Sequence, residues 1–179
     1  MNNQTIADIY ATNDKVREQL KTTVSDLTDE QTSVLPEGEK WTIAHLVEHI
    51  ATVENGMAKI SAKLLKQAQA VGKQADGTAK LSENFVQKAT EARNIKLEAP
   101  EIVRPTGNQT IAESLAKMEE NRRILEDLRP LFESVECADF TFPHPALGAL
   151  TAHEWLTLIG GHEARHLRQL ENLLAKVKQ

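Results

Sequence analysis

A chain of 179 residues, 40% hydrophobic and 26% charged, fits one ordinary domain that can bury a core without covalent staples. Its 21 basic and 26 acidic residues give a net charge of −5, and the basic ones are spread along helical faces, which argues against nucleic acid as a partner. Cys137 is the single cysteine, MNNQTIADIY lacks a basic stretch followed by an apolar run, and no apolar run approaches the ~20 residues of a membrane span, so the expectation is a cytoplasmic protein without a signal peptide, disulfides or membrane segments.

With 8 glycines, 4% aromatics and few β-branched runs, the chain reads as all-α. The first helix is expected from about Thr5 to Leu27, where Ile6, Ile9, Tyr10, Val16, Leu20, Val24 and Leu27 recur at three- and four-residue steps. Pro36 and Gly38 punctuate the next stretch. A second helix starts near Trp41 and Thr42, carries Leu46, His49, Val53, Met57, Ile60 and Leu64 inward, and fades after Val71. Residues 73–107 hold a short helix around Glu83–Arg93 and an extended APEIVRPTG, a length that suits a crossover between parallel neighbours. Thr110 and Glu113 form a capping-box signal for a third helix that Pro130 ends or kinks. Glu136–Leu150 reads as loop, and Thr151 with Glu154 caps a fourth helix running to about Val177. Four long amphipathic helices in a single domain, residues 1–179, describe a four-helix bundle.

The fourth helix contains HEARH, a literal match to the His-Glu-x-x-His pattern of zinc proteases. At ~100° per residue, His162 and His166 lie within ~40° of each other on the arc of Trp155, Ile159, Leu170 and Leu173, so both point inward. The protease reading needs a third ligand downstream. Residues 167–179 contain no histidine, Glu171 lies on the opposite side of the helix, and Gln169 stands where the longer motif has glycine. The third imidazole is therefore sought upstream, where His49 faces inward more squarely than His45. Three neutral imidazoles from facing helices suit Zn²⁺ or Ni²⁺ with a position left open for water or substrate.

Around this pair and its partner, WTIAHLVEHIATVE, HPALGALTAHEWL and GHEARHLRQLE together resemble the DinB-like superfamily, which includes the YfiT-type metal-dependent hydrolases and thiol-dependent S-transferases. The resemblance covers most of the chain. It implies a bundle of up-down-down-up connectivity, commonly a homodimer, with a divalent metal held by His49, His162 and His166. It implies a small-molecule enzyme, a transferase moving a low-molecular-weight thiol to an electrophile or a hydrolase. A non-catalytic metal- or ligand-binding stress protein is the alternative. Arg165 stands where many relatives carry a further histidine. Glu163 falls where an acidic residue is common, and is either a general base or, more simply, a surface or supporting carboxylate.

The remaining polar residues receive plainer readings. Arg122 or its neighbour Asn121 enters the cavity to bind an anionic group of a cofactor or to orient an imidazole. His153 is a solvated first-turn residue, His144 belongs to loop structure near a site mouth, and His45 supports the site or lines its groove. Trp41 and Trp155 close the core ends with their indole N–H groups toward water, and Cys137 is an ordinary buried thiol.

Overall fold

A computed structural model of the chain describes residues 4–92 and 98–177. Threonine caps start the first helices: Thr5 with Asp8 opens α1 (Ile6–Val24), Thr28 with Gln31 opens the short α2 (Asp29–Ser33), and Thr42 with His45 opens α3 (Ile43–Val71). In each, the threonine hydroxyl accepts from a backbone N–H one turn on while that residue's side chain reaches back to the cap's own N–H. Gly72, at φ +77°, ends α3 in the left-handed conformation that glycine adopts freely. After α4 (Glu83–Ala92) and a single 3₁₀ turn at Glu101–Val103, Thr110 and Glu113 form the expected capping box of α5 (Ile111–Ser134). Arg93, where the short helix was expected to end, lies outside the described residues.

Pro130 does not end α5, which continues for another turn to Ser134. Glu136–Leu150 is not plain loop: β1 (Phe142–His144) and β2 (Gly148–Leu150) pair antiparallel, with Phe142 opposite Leu150. The turn between them is held by His144, whose Nδ1 accepts from the backbone N–H groups of Ala146 and Leu147, both at 3.2 Å. The fourth long helix, α6 (Ala152–Val177), then follows Thr151, whose cap with Glu154 forms as read.

The long helices run up-down-down-up, as two separate core clusters show. At one end Ile6, Ile9 and Tyr10 of α1 meet Met57–Ala68 of α3, Leu125 and Phe132 of α5, and Trp155–Ile159 of α6. At the other, Leu20 and Val24 meet Ile43–Ala51, Met118 and Leu167–Leu173. The chain thus enters α1 and α6 from one end and α3 and α5 from the other. Helix α3 packs against both α5 and α6, and α1 packs chiefly on α6, so the order around the bundle is α1, α6, α3, α5. Between parallel neighbours α3 and α5 the crossover is stitched down: Ile6 N–H donates to Gly77 O at 3.0 Å and Ala75 N–H to Ser134 O at 2.9 Å.

A polar layer separates the two clusters. Arg17 of α1 crosses the interior to pair with Glu54 of α3 and with Glu163 of α6 at 2.7 Å, and donates to Met118 O of α5 at 3.2 Å. Asn121 donates to Glu54 at 3.2 Å and to Ala51 O at 3.0 Å. Among the described residues no helix is long and apolar enough to cross a membrane.

Candidate metal centre

The Thr42 cap fixes where α3 begins, and so places His49 two turns in, against α6. His49 is buried, with its ring centroid 5.3 Å from that of His162 and 5.0 Å from that of His166. Trp41 covers its other side at 4.8 Å. One helical turn apart on α6, the Nε2 atoms of His162 and His166 face each other at 3.1 Å. One ligand atom from each of the three rings lies within 4.8 Å of the others, and among the described residues no further His, Cys, Asp or Glu joins the group.

Hydrogen bonds decide which nitrogens are available. The carbonyl of Val103 can only accept, so His49 holds its proton on Nδ1, which donates at 2.7 Å and leaves the Nε2 lone pair bare. His166 likewise gives Nδ1–H to the Gln169 side-chain oxygen at 3.0 Å. Its Nε2 therefore faces that of His162 across a gap that needs a proton or a cation between the two lone pairs. With Zn–N bonds of about 2.0–2.1 Å, two ligands of one ion stand about 3.0 Å apart at a right angle and about 3.4 Å apart at the tetrahedral angle. The observed 3.1 Å lies in that range, so the His162–His166 pair fits a borderline divalent ion, with a His49 ring nitrogen within 4.8 Å of both.

The electrostatics keep all three rings neutral. Burial pulls His166 down to about 3, with His49 adding to it. Burial and the two neighbouring imidazoles hold His162 well below its ordinary value, and burial lowers His49 despite the Val103 carbonyl. The charge of Arg165 pushes each of the three the same way. Burial is the largest cause of the shift in all three rings, His162 included.

Other expected residues land elsewhere. His45 is the capping partner of Thr42, its Nδ1 accepting from the Thr42 N–H at 3.4 Å. His153 is not solvated: it is 2% exposed, donates from Nε2 to Phe132 O at 3.2 Å and accepts from Lys80 N–H, because the crossover covers the outer side of the first turn of α6. Trp155 is buried as well, with an indole N–H that meets no hydrogen-bond partner among the described residues rather than water. Cys137 is the expected buried thiol, its pKa raised by burial.

Glu163 is no surface carboxylate. It is fully buried and turned to Arg17. Burial raises its carboxyl to about 7 against the pull of Arg17, with the charge of Glu54 adding to the rise. Arg122 does not enter the interior: it pairs with Asp14 at 2.6 Å and Glu126 at 2.5 Å and lies over the Tyr10 ring, on the α1–α5 side of the bundle opposite the histidines. Asn121 does enter, but it serves Glu54 and Ala51.

Two partners of the imidazoles escape the sequence pattern. Gln169 sits three residues after His166, the spacing at which a helical side chain can reach back, and that spacing was the available signal. Val103 acts through its backbone, which no side-chain pattern reports.

A family model for the DinB superfamily matches residues 12–170. The chain belongs to the DinB superfamily. It is 28% identical over 155 residues to the uncharacterized protein YuaE of Bacillus subtilis (strain 168), a match that spans 86% of this chain and 89% of YuaE. Among solved structures it is similar to TT2238, a four-helix bundle protein, with a TM-score of 0.61 and 20% identity over 93% of this chain and 98% of that one. That likeness is one of fold, and the DinB assignment rests on the family model.

Proposed function

We propose that this DinB-superfamily protein is a metal-dependent enzyme of small-molecule chemistry, transferring a low-molecular-weight thiol to an electrophile, with His49, His162 and His166 as ligands of Zn²⁺ or Ni²⁺. The observation that supports it most is the convergence of three neutral imidazoles, two of them with Nδ1 anchored, and no fourth protein ligand among the described residues. Three protein ligands are the pattern of catalytic centres, whereas closed structural sites have four. A divalent ion so held lowers the pKa of a bound thiol or water and supplies a nucleophile near neutral pH.

The chain's own groups divide the remaining work. Val103 and Gln169 fix two rings, and the positive charge of Arg165 favours an anionic thiolate over a neutral thiol beside the histidines. Glu163, engaged by Arg17, is assigned to holding α1 against α6 rather than to proton transfer. A hydrolase using the same ligands is the second reading, and a metal- or ligand-binding protein without turnover the third. The single buried cysteine and the family resemblance support a cytoplasmic homodimer, for which sedimentation of the purified chain is the check.

Metal analysis of protein purified without a polyhistidine tag should find close to one divalent ion per chain, and His49→Ala should lose it. Equal, near-zero contents would end the three-histidine reading. Turnover is then assayed with thiols and electrophiles, and separately with esters and amides. His166→Ala should cost at least about 100-fold, as loss of a metal-centred step does, while Glu163→Gln should stay within about threefold of the parent. A collapse of activity in a folded, metal-loaded Glu163→Gln protein would restore the general-base role.

A further inference from the structure

We propose that Glu48 is a positioning residue of the metal centre, acting through the end of the crossover rather than by touching the ion. Glu48 is a carboxylate only 2% exposed, beside His49 in sequence. One of its oxygens accepts from the Thr106 N–H at 2.8 Å and from the Thr106 hydroxyl at 2.7 Å, and the other accepts from the Gly107 N–H at 3.0 Å. Three residues before Thr106, Val103 offers its carbonyl to His49 Nδ1 at 2.7 Å. The carboxylate thus anchors a strap whose other contact sets the proton position, and so the free lone pair, of a metal ligand.

Gly107 completes the clasp. It sits at φ +76°, and a Cβ there would stand 2.8 Å from His45 Nε2, so a side chain at that point would strain the left-handed backbone and push the His45 ring aside. The other end of the crossover provides an internal comparison. Glu154, equally buried, accepts from the Ser82 N–H at 2.9 Å and the Ser82 hydroxyl at 2.6 Å. Both ends are therefore pinned by a buried carboxylate, and one of those ends touches a histidine of the centre.

The inference rests on the three-histidine reading, and the test separates the two. Zn²⁺ affinity is measured by competition with a chromophoric chelator for the full-length parent, Glu48→Ala, Glu48→Gln, Gly107→Ala and Glu154→Ala, with unfolding in urea recorded for each. The expected result is a loss of about tenfold for Glu48→Ala and Gly107→Ala, the scale seen when a ligand's hydrogen-bond partner is disturbed, and a smaller loss for Glu48→Gln, whose amide oxygen still accepts from Thr106. Glu154→Ala should bind Zn²⁺ within about twofold of the parent even where it loses as much stability. In the metal-free chain, ¹⁵N NMR of the imidazoles should show His49 protonated on Nδ1 in the parent and as mixed tautomers in Glu48→Ala. Should Glu48→Ala fail to fold, Glu48→Gln and Gly107→Ala carry the comparison. Parental affinity in the Glu48 and Gly107 variants, or an equal loss in Glu154→Ala, overturns the proposal. A parent that takes no Zn²⁺ overturns both it and the reading beneath it.

Discussion

His166 ties the candidate centre to the stability of the fold through its protonation. In the unfolded chain it titrates near 6.5, and in the folded protein burial holds it to about 3. Between those values the unfolded state binds a proton that the folded state refuses, so its contribution is complete above 6.5 and is lost as the pH falls toward 3. Each such group costs about 1.4 kcal/mol per pH unit inside its window. Glu163 works the other way: its carboxyl is raised from 4.5 to about 7, so its contribution is complete below 4.5 and is lost as the pH rises to 7. In metal-free protein, the slope of unfolding free energy between pH 6.5 and 5 should therefore fall by about 1.4 kcal/mol per unit in His166→Ala and steepen in Glu163→Gln. Urea titrations across that range check both signs, and identical slopes in all three proteins would refute the coupling. The histidines were legible because an i, i+4 pair on an apolar arc is a geometric statement that needs no partner to be recognised. Glu163 was not, since its burial depends on Arg17 arriving from another helix.

Adjacent glycines on α6 show how much an element's surroundings matter beyond its own propensity. Gly160 and Gly161 carry the same intrinsic penalty in a helix, up to about 1 kcal/mol relative to alanine. Around Gly161 a Cβ would meet nothing within 4 Å, whereas at Gly160 it would collide with the carboxamide of Asn13, which donates to Leu156 O at 3.0 Å. Asn13 is 93% buried in the α1–α6 contact, from its 7% exposure, and has little room to yield. Gly161→Ala should stabilise the fold by about 0.5–1 kcal/mol, while Gly160→Ala should destabilise it by about 1–3 kcal/mol through overpacking. Thermal or urea unfolding of the pair decides it, and a stabilised Gly160→Ala would mean that α1 and α6 separate more easily than their contacts indicate. At this scale the helices and the Thr110 and Thr151 caps were readable, because period and capping chemistry are local. The β1–β2 hairpin was not: its strands are three residues each, and its turn is held by a histidine side chain.

Across the whole molecule, the crossover announced itself by its length, but the polar layer between the two core clusters did not. Arg17 and Asn13 share the inward arc of Tyr10 and Leu20, and a reading that follows only apolar residues passes over them. The layer places one guanidinium between two carboxylates, and the interior leaves Glu163 Oε2 and Arg17 Nε without hydrogen-bond partners among the described residues. Such a group is costly to break and cheap to replace as a unit, because desolvation of the charges cancels much of their attraction. Arg17→Met alone leaves Glu54 and Glu163 facing each other in the core and should cost about 3–5 kcal/mol. Arg17→Met combined with Glu54→Leu and Glu163→Leu removes every uncompensated charge and should recover most of that loss, to within about 1 kcal/mol of the parent or above it. In the triple variant Asn121 keeps its bond to Ala51 O and gives up only the one to Glu54, so a single amide hydrogen loses its partner in the exchange. Urea unfolding of the single and triple variants measures the recovery. A triple variant as unstable as Arg17→Met would show that the layer acts through packing shape, with its charges incidental to the cost.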